Sequence, residues 1–94
     1  MQKNKLMETD LDKEFKLAFK KISTLKRIIA PDLMLKFYAY YKQANFGNNF
    51  SFNNKLDVRS GFKFNAWMQL NGMSSEQAKQ EYINLAKEVL KNNK

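Results

Sequence analysis

The chain has 94 residues with no cysteine and no histidine, which excludes disulfides, Cys/His metal sites, thiol nucleophiles and every histidine-based triad. Its 17 Lys and Arg against 9 Asp and Glu give a formal charge of +8, and such a charge favours an anionic partner: nucleic acid, a membrane surface or a phosphorylated small molecule. A hydrophobic fraction of 44% with eight Phe predicts one folded domain, and no apolar run suits a signal peptide or a membrane span, so a soluble cytoplasmic protein is expected.

Three Gly and one Pro provide few strand and turn signals, while helical spacing recurs throughout. The polar stretch Met1 to Thr9 predicts a flexible tail (1–9) ahead of a single helical domain (10–94), with Asp10 as the first N-cap. Leu11, Phe15, Ala18, Ile22 and Leu25 then recur at steps of four and three, one stripe of a helix that Phe19 widens. Pro31 suits the first turn of a second helix, favoured by Asp32, running to about Ala44 and stopped by Gly47. The Asn-rich stretch 48–55 reads as a loop. Asp57 is placed to cap a third helix through Leu70, ended by Gly72, and Ser74 with Gln77 forms a capping box for a fourth. The core stripe of that last helix is Ala78, Tyr82, Leu85 and Val89, supported by Ala86 and Leu90. The fold class is therefore all-α, a four-helix bundle. The short third connection predicts that helices three and four are antiparallel neighbours, and the longer second connection allows helices two and three to run parallel.

The second helix has more aromatic surface than a core requires. On a wheel of about 100° per residue, Leu33, Phe37, Tyr40 and Ala44 form one stripe, and Met34, Tyr38, Tyr41 and Asn45 form another roughly 110° round. Lys42 borders the second stripe. Phenol rings beside an ammonium group suit a ligand that is flat, anionic and partly apolar. Pattern alone leaves two readings of Tyr38 and Tyr41, a ligand face or boundary residues with their hydroxyls in water. Tyr82 by itself reads as core, and Lys63 by itself as a solvated lysine.

Tyr38-Ala39-Tyr40-Tyr41-Lys42-Gln43-Ala44-Asn45-Phe46-Gly47 resembles the Tyr-x-x-Tyr-Lys-Gln-Ala-x-x-Gly signature of the acyl-CoA-binding protein family. Lys63-Phe64-Asn65-Ala66-Trp67 is similar to that family's Lys-Trp-x-Ala-Trp, and Leu70-Asn71-Gly72-Met73-Ser74, Ala78 and Tyr82-Ile83 follow at family spacing. The resemblance covers roughly residues 12–90. It implies an up-down-down-up bundle and binding of medium- to long-chain acyl-CoA, with no cofactor, no metal and no catalysis. By the same resemblance Tyr38, Tyr41, Lys42, Lys63 and Tyr82 fall on head-group positions, with both lysines toward the 3′-phosphate and Tyr38 and Tyr82 toward adenine and ribose. Met34 and Leu35 fall on acyl-chain positions, and Phe19 is placed to narrow the acyl groove. A monomeric carrier that neither inserts stably in membranes nor binds nucleic acid is the expectation.

The chain departs from the family pattern at several points. Ser23 stands where a lysine is common, Phe64 replaces the first of two tryptophans, Phe19 and Phe62 replace small residues, and the 48–55 loop is shorter and lacks Arg-Pro-Gly. Two rival readings remain on the sequence: a basic helical module for nucleic acid, and a bundle whose aromatic face meets a partner protein.

Overall fold

The computed structural model describes residues 8–47 and 58–91. These residues form four helices, α1 (Asp10–Ser23), α2 (Pro31–Phe46), α3 (Val58–Met68) and α4 (Ser75–Lys91), and no strand. The cap of α1 is Thr9, not Asp10. The Thr9 hydroxyl accepts the Asp12 N–H at 3.1 Å, and the Asp12 carboxylate accepts the Thr9 N–H at 3.4 Å. A hydroxyl and a carboxylate three residues apart satisfy each other's backbone, an arrangement that Asp10 with Lys13 cannot make. Thr9 thus belongs to the helix start, Glu8 pairs with Lys16, and residues 1–7 of the expected tail lie outside the described residues.

Pro31 opens α2 as expected, but the helix continues through Phe46, two residues past Ala44. Gly47 ends it at φ 71°, ψ −155°, a conformation that disfavours side chains with a Cβ. The N–H of Gly47 still reaches the Gln43 carbonyl at 3.0 Å. α3 closes at Met68, and residues 69–72 turn back through Gly72 at φ 97°. Only half of the expected Ser74 box is present. The Ser74 hydroxyl accepts the Gln77 N–H at 3.0 Å, while the Gln77 amide donates to Glu81 at 2.7 Å, one turn on. The proposed Asp57 cap and the 48–55 loop lie outside the described residues.

Cross-helix contacts establish the directions. Asp12 meets Lys79, Phe15 meets Tyr82 and Arg27 meets Val89, so α1 and α4 run parallel. Phe37 meets Tyr82 while Ala44 meets Ser75, so α2 opposes α4. Lys63 lies over Tyr38 and Trp67 reaches Gly47, so α3 runs alongside α2 in the same sense. The order is up-down-down-up. The expectation that α3 and α4 pack as neighbours does not hold: the helices lying side by side are α1 with α4, α2 with α4 and α2 with α3. The reason is local. Gln43 donates to the Met73 carbonyl at 2.8 Å and Ser75 donates to the Ala44 carbonyl, so the short connection begins α4 against α2.

The core lies where α4 meets α1 and α2. Phe15, Ala18, Ile22, Phe37, Ala44, Ala78 and Tyr82 are buried there with Ile83, Ala86 and Val89. Leu85 and Leu90, expected in the stripe of α4, are half-buried, and Ile83 takes an interior place instead.

Candidate ligand-binding groove

A groove of about 1050 Å³ opens between the second half of α1, the 24–30 connection, α2 and α3. All eight residues singled out from the sequence line it: Phe19, Met34, Leu35, Tyr38, Tyr41, Lys42, Lys63 and Tyr82. Ser23 and Phe62, two of the departures noted above, line it as well.

The two ends of the groove differ. Pro31, Met34 and Leu35 on the first turns of α2 face Ile22, Leu25 and Ile29, making an apolar end. Further along α2 come Tyr38, Tyr41 and Lys42, roughly 16 Å from Pro31 to Lys42 at 1.5 Å per residue. There the cations converge on rings. The Lys63 ammonium lies 5.3 Å from the Tyr38 centroid and the Lys42 ammonium 5.6 Å from the same ring. Lys42 also lies 4.8 Å from Phe46 and 5.6 Å from Trp67. Cation–π attraction holds both ammonium groups at this corner while leaving their N–H donors able to meet an anion.

Tyr82 has a different part from Tyr38. Its side chain is 2% exposed, packed edge-on to Phe15 at 5.2 Å and tilted against Phe37 at 5.0 Å. Burial, with a smaller effect from Tyr41, pushes its hydroxyl well above the ordinary tyrosine range, so it stays protonated. Tyr82 is first a core residue, and it also forms part of the groove wall. Phe19 stacks on Tyr41 at 4.7 Å and 24°, which places its ring beside the tyrosines of the groove. Phe19 and Tyr41 also wall a second cavity of about 600 Å³, whose charged residues are already paired as Glu8–Lys16 and Asp12–Lys79.

Two residues of consequence had no periodic signal. Arg27 lines the groove and donates to the Val89 carbonyl, anchoring the 24–30 connection to the last turns of α4. It sits in an irregular segment, where helical spacing has no meaning. Gln43 is fully buried, donates to the Met73 carbonyl and accepts the Trp67 indole N–H at 3.0 Å. That indole also reaches the Gly47 carbonyl at 3.1 Å. Gln43 thereby holds α3, and with it Lys63, against α2. Its place inside the family signature was the only sequence hint.

Taken together, the groove can hold an amphiphile with an anionic, aromatic head and an apolar tail. Among the described residues no cluster of carboxylates could hold a metal ion, and no described helix is long and apolar enough to cross a membrane.

Known proteins share this pattern and this fold. A model of the family described as acyl CoA binding protein matches residues 12–86. An acyl-CoA-binding protein homolog of Drosophila melanogaster is 36% identical over 74 residues, covering 78% of this chain and 86% of the relative. An acyl-CoA-binding protein of Gossypium hirsutum is 35% identical over 80 residues, covering 84% and 90%. The crystal structure of Oryza sativa acyl-CoA-binding protein 2 superposes with a TM-score of 0.79 at 30% identity, covering 86% of this chain and 91% of that one. By sequence, by fold and by the make-up of its groove, the chain belongs to the acyl-CoA-binding protein family.

Proposed function

We propose that this protein binds medium- to long-chain acyl-CoA esters and acts as a non-catalytic acyl-CoA carrier and pool former in fatty acid metabolism. The observation that carries this reading is the single groove that joins an apolar end to a corner of tyrosine rings and ammonium groups. Lys42 and Lys63 meet the phosphates of the head group, and Tyr38 and Tyr41 offer ring faces to adenine. Tyr82 forms the back of that wall. Met34 and Leu35 receive the first methylenes of the chain, and the flexible thioether of Met34 adapts to chains of different length. Among the described residues, no side chain in the groove pairs a nucleophile with a base, which favours a carrier over a hydrolase. The protein works as a cytoplasmic monomer without cofactor or metal, and no stable insertion in a membrane is part of this role.

Calorimetric titration with free CoA and a ladder of acyl-CoAs tests the proposal. Each methylene removed from water contributes about 0.8 kcal/mol, so four extra carbons add up to about 3 kcal/mol. Affinity therefore rises with chain length, free CoA binds far more weakly, and salt weakens the head-group part. Equal affinity for palmitoyl-CoA and free CoA would overturn it.

A further inference from the structure

α1 and α2 do not lie side by side. Both pack on α4, and a cleft stays open between them. One pair of rings bridges that cleft. Phe19 of α1 stacks on Tyr41 of α2, with 4.7 Å between centroids and 24° between planes. Both residues line the groove and also the cavity of about 600 Å³, so the stack stands where the two meet.

Phe19 is 38% exposed in spite of this stack, whereas Tyr38 and Tyr41 are half-buried. The ring of Tyr82 lies behind it at 6.3 Å. A ring already held by two others loses little freedom when a further flat group settles on it. The level of the stack decides which part of a ligand it meets. Tyr41 comes seven residues after Met34 on α2, about 10 Å along the helix, and is followed directly by Lys42. Phe19 therefore stands at the level of the cationic corner. Beyond the stack, the charged residues of the smaller cavity are paired as Glu8–Lys16 and Asp12–Lys79. The ammonium groups held over rings, Lys42 and Lys63, are on the groove side. A head group whose phosphates meet those two lysines brings its base up to Phe19.

We propose that Phe19 is a specificity-determining residue that stacks on the adenine base and makes ligand binding depend on that base. The consequence is a choice between two carriers of one acyl chain. CoA has the base, while the 4′-phosphopantetheine arm shares the thioester and lacks the base. This assignment rests on the acyl-CoA reading above, and it moves Phe19 from the acyl chain to the head group.

Calorimetric titration of wild type and Phe19→Leu with palmitoyl-CoA, dodecanoyl-CoA and palmitoyl-4′-phosphopantetheine tests the proposal. Leucine keeps an apolar side chain at this position but has no ring face. Phe19→Leu is expected to lower palmitoyl-CoA affinity by about tenfold, within the worth of one base stack. Affinity for palmitoyl-4′-phosphopantetheine changes by less than about twofold, so the loss belongs to the coupling of Phe19 with the base. The ratio of palmitoyl-CoA to dodecanoyl-CoA affinity stays that of wild type. In a Phe19→Trp variant, palmitoyl-CoA quenches the added indole emission. Unchanged or tighter palmitoyl-CoA binding by Phe19→Leu, an equal loss for both palmitoyl ligands, or a change confined to the chain-length ratio would each overturn the assignment. Absence of quenching in Phe19→Trp would overturn it as well. In all these cases palmitoyl-CoA binding by the wild-type protein leaves the carrier function standing, whereas a wild type that binds no palmitoyl-CoA overturns both.

Discussion

α4 and α3 are held to the bundle by different means. α4 buries Ala78, Tyr82, Ile83, Ala86 and Val89 between α1 and α2, with Tyr82 in ring contact with Phe15, Phe19 and Phe37. α3 lies on α2 alone, and among its described side chains, residues 61–68, none is fully buried. Its attachment depends on the Trp67 indole, shared between Gln43 and Gly47, with Phe46 6.2 Å from the Trp67 ring. Apolar burial is spread over many contacts and resists opening, whereas a few hydrogen bonds can be lost together. The groove thus has one rigid wall and one wall, carrying Phe62 and Lys63, that opens at lower cost. A carrier that must admit and release a bulky ligand benefits from this asymmetry.

The largest effect is expected at the rigid wall. Tyr82→Ala removes the ring at the centre of the aromatic cluster and lowers global stability by about 4 kcal/mol, read from chemical denaturation. If the loss stays below that of an average surface substitution, Tyr82 is not the centre of the core. Next comes Gln43→Leu, which keeps the volume but leaves the Met73 carbonyl without that amide donor and takes one acceptor from Trp67. We expect a loss of about 2 kcal/mol, with hydrogen exchange rising first in α3 and the 69–74 connection. Uniform acceleration across all four helices would erase the contrast between the two walls.

The smallest effect is at the start of α1. The hydrogen bond from Lys79 at 2.6 Å, together with the Thr9 contacts, holds the Asp12 carboxyl below its ordinary value against a smaller effect of burial. A depressed folded pKa means that the stabilisation is present above the ordinary aspartate value of about 3.9 and is lost as pH falls through the lower folded value. Because both partners are partly exposed, Asp12→Asn should cost no more than about 1 kcal/mol at neutral pH. The gap between wild type and variant should close in acid. A gap that persists there would assign the effect to the helix cap and not to the ion pair.

Much of this was legible because α1, α2 and α4 are amphipathic over several turns. Leu11, Phe15, Ala18 and Ile22 could only be one face of a helix, and Pro31 and Gly47 bracket α2 by backbone chemistry alone. Other features had no local signature. Gln43 and Ala39 lie roughly 280° and 240° round the wheel from Leu33, outside both aromatic stripes, and are buried because α2 is covered from a third side. A polar and a small side chain do not announce burial, so that face was missed. The misplaced cap at Asp10 has a similar cause. Thr9 and Asp10 are both good caps in isolation, and the choice turned on Asp12 being able to return the hydrogen bond.

The sequence by itself determined the helical class, the number of helices, the preference for an anionic partner and, through resemblance, the residues of the groove. Periodicity and motif spacing are properties of one segment at a time, and they survive without neighbours. Which helices touch was decided only by the tertiary structure. The Gln43 and Ser75 contacts draw α4 onto α2 and leave α3 on the outside, a choice made between segments some thirty residues apart. The two readings of Tyr82 were weighed in the same way: spacing put it in a core stripe, and the resemblance implied a head-group position. Packing made it the buried back of the wall, because Phe15 and Phe37 close on its ring from two other helices.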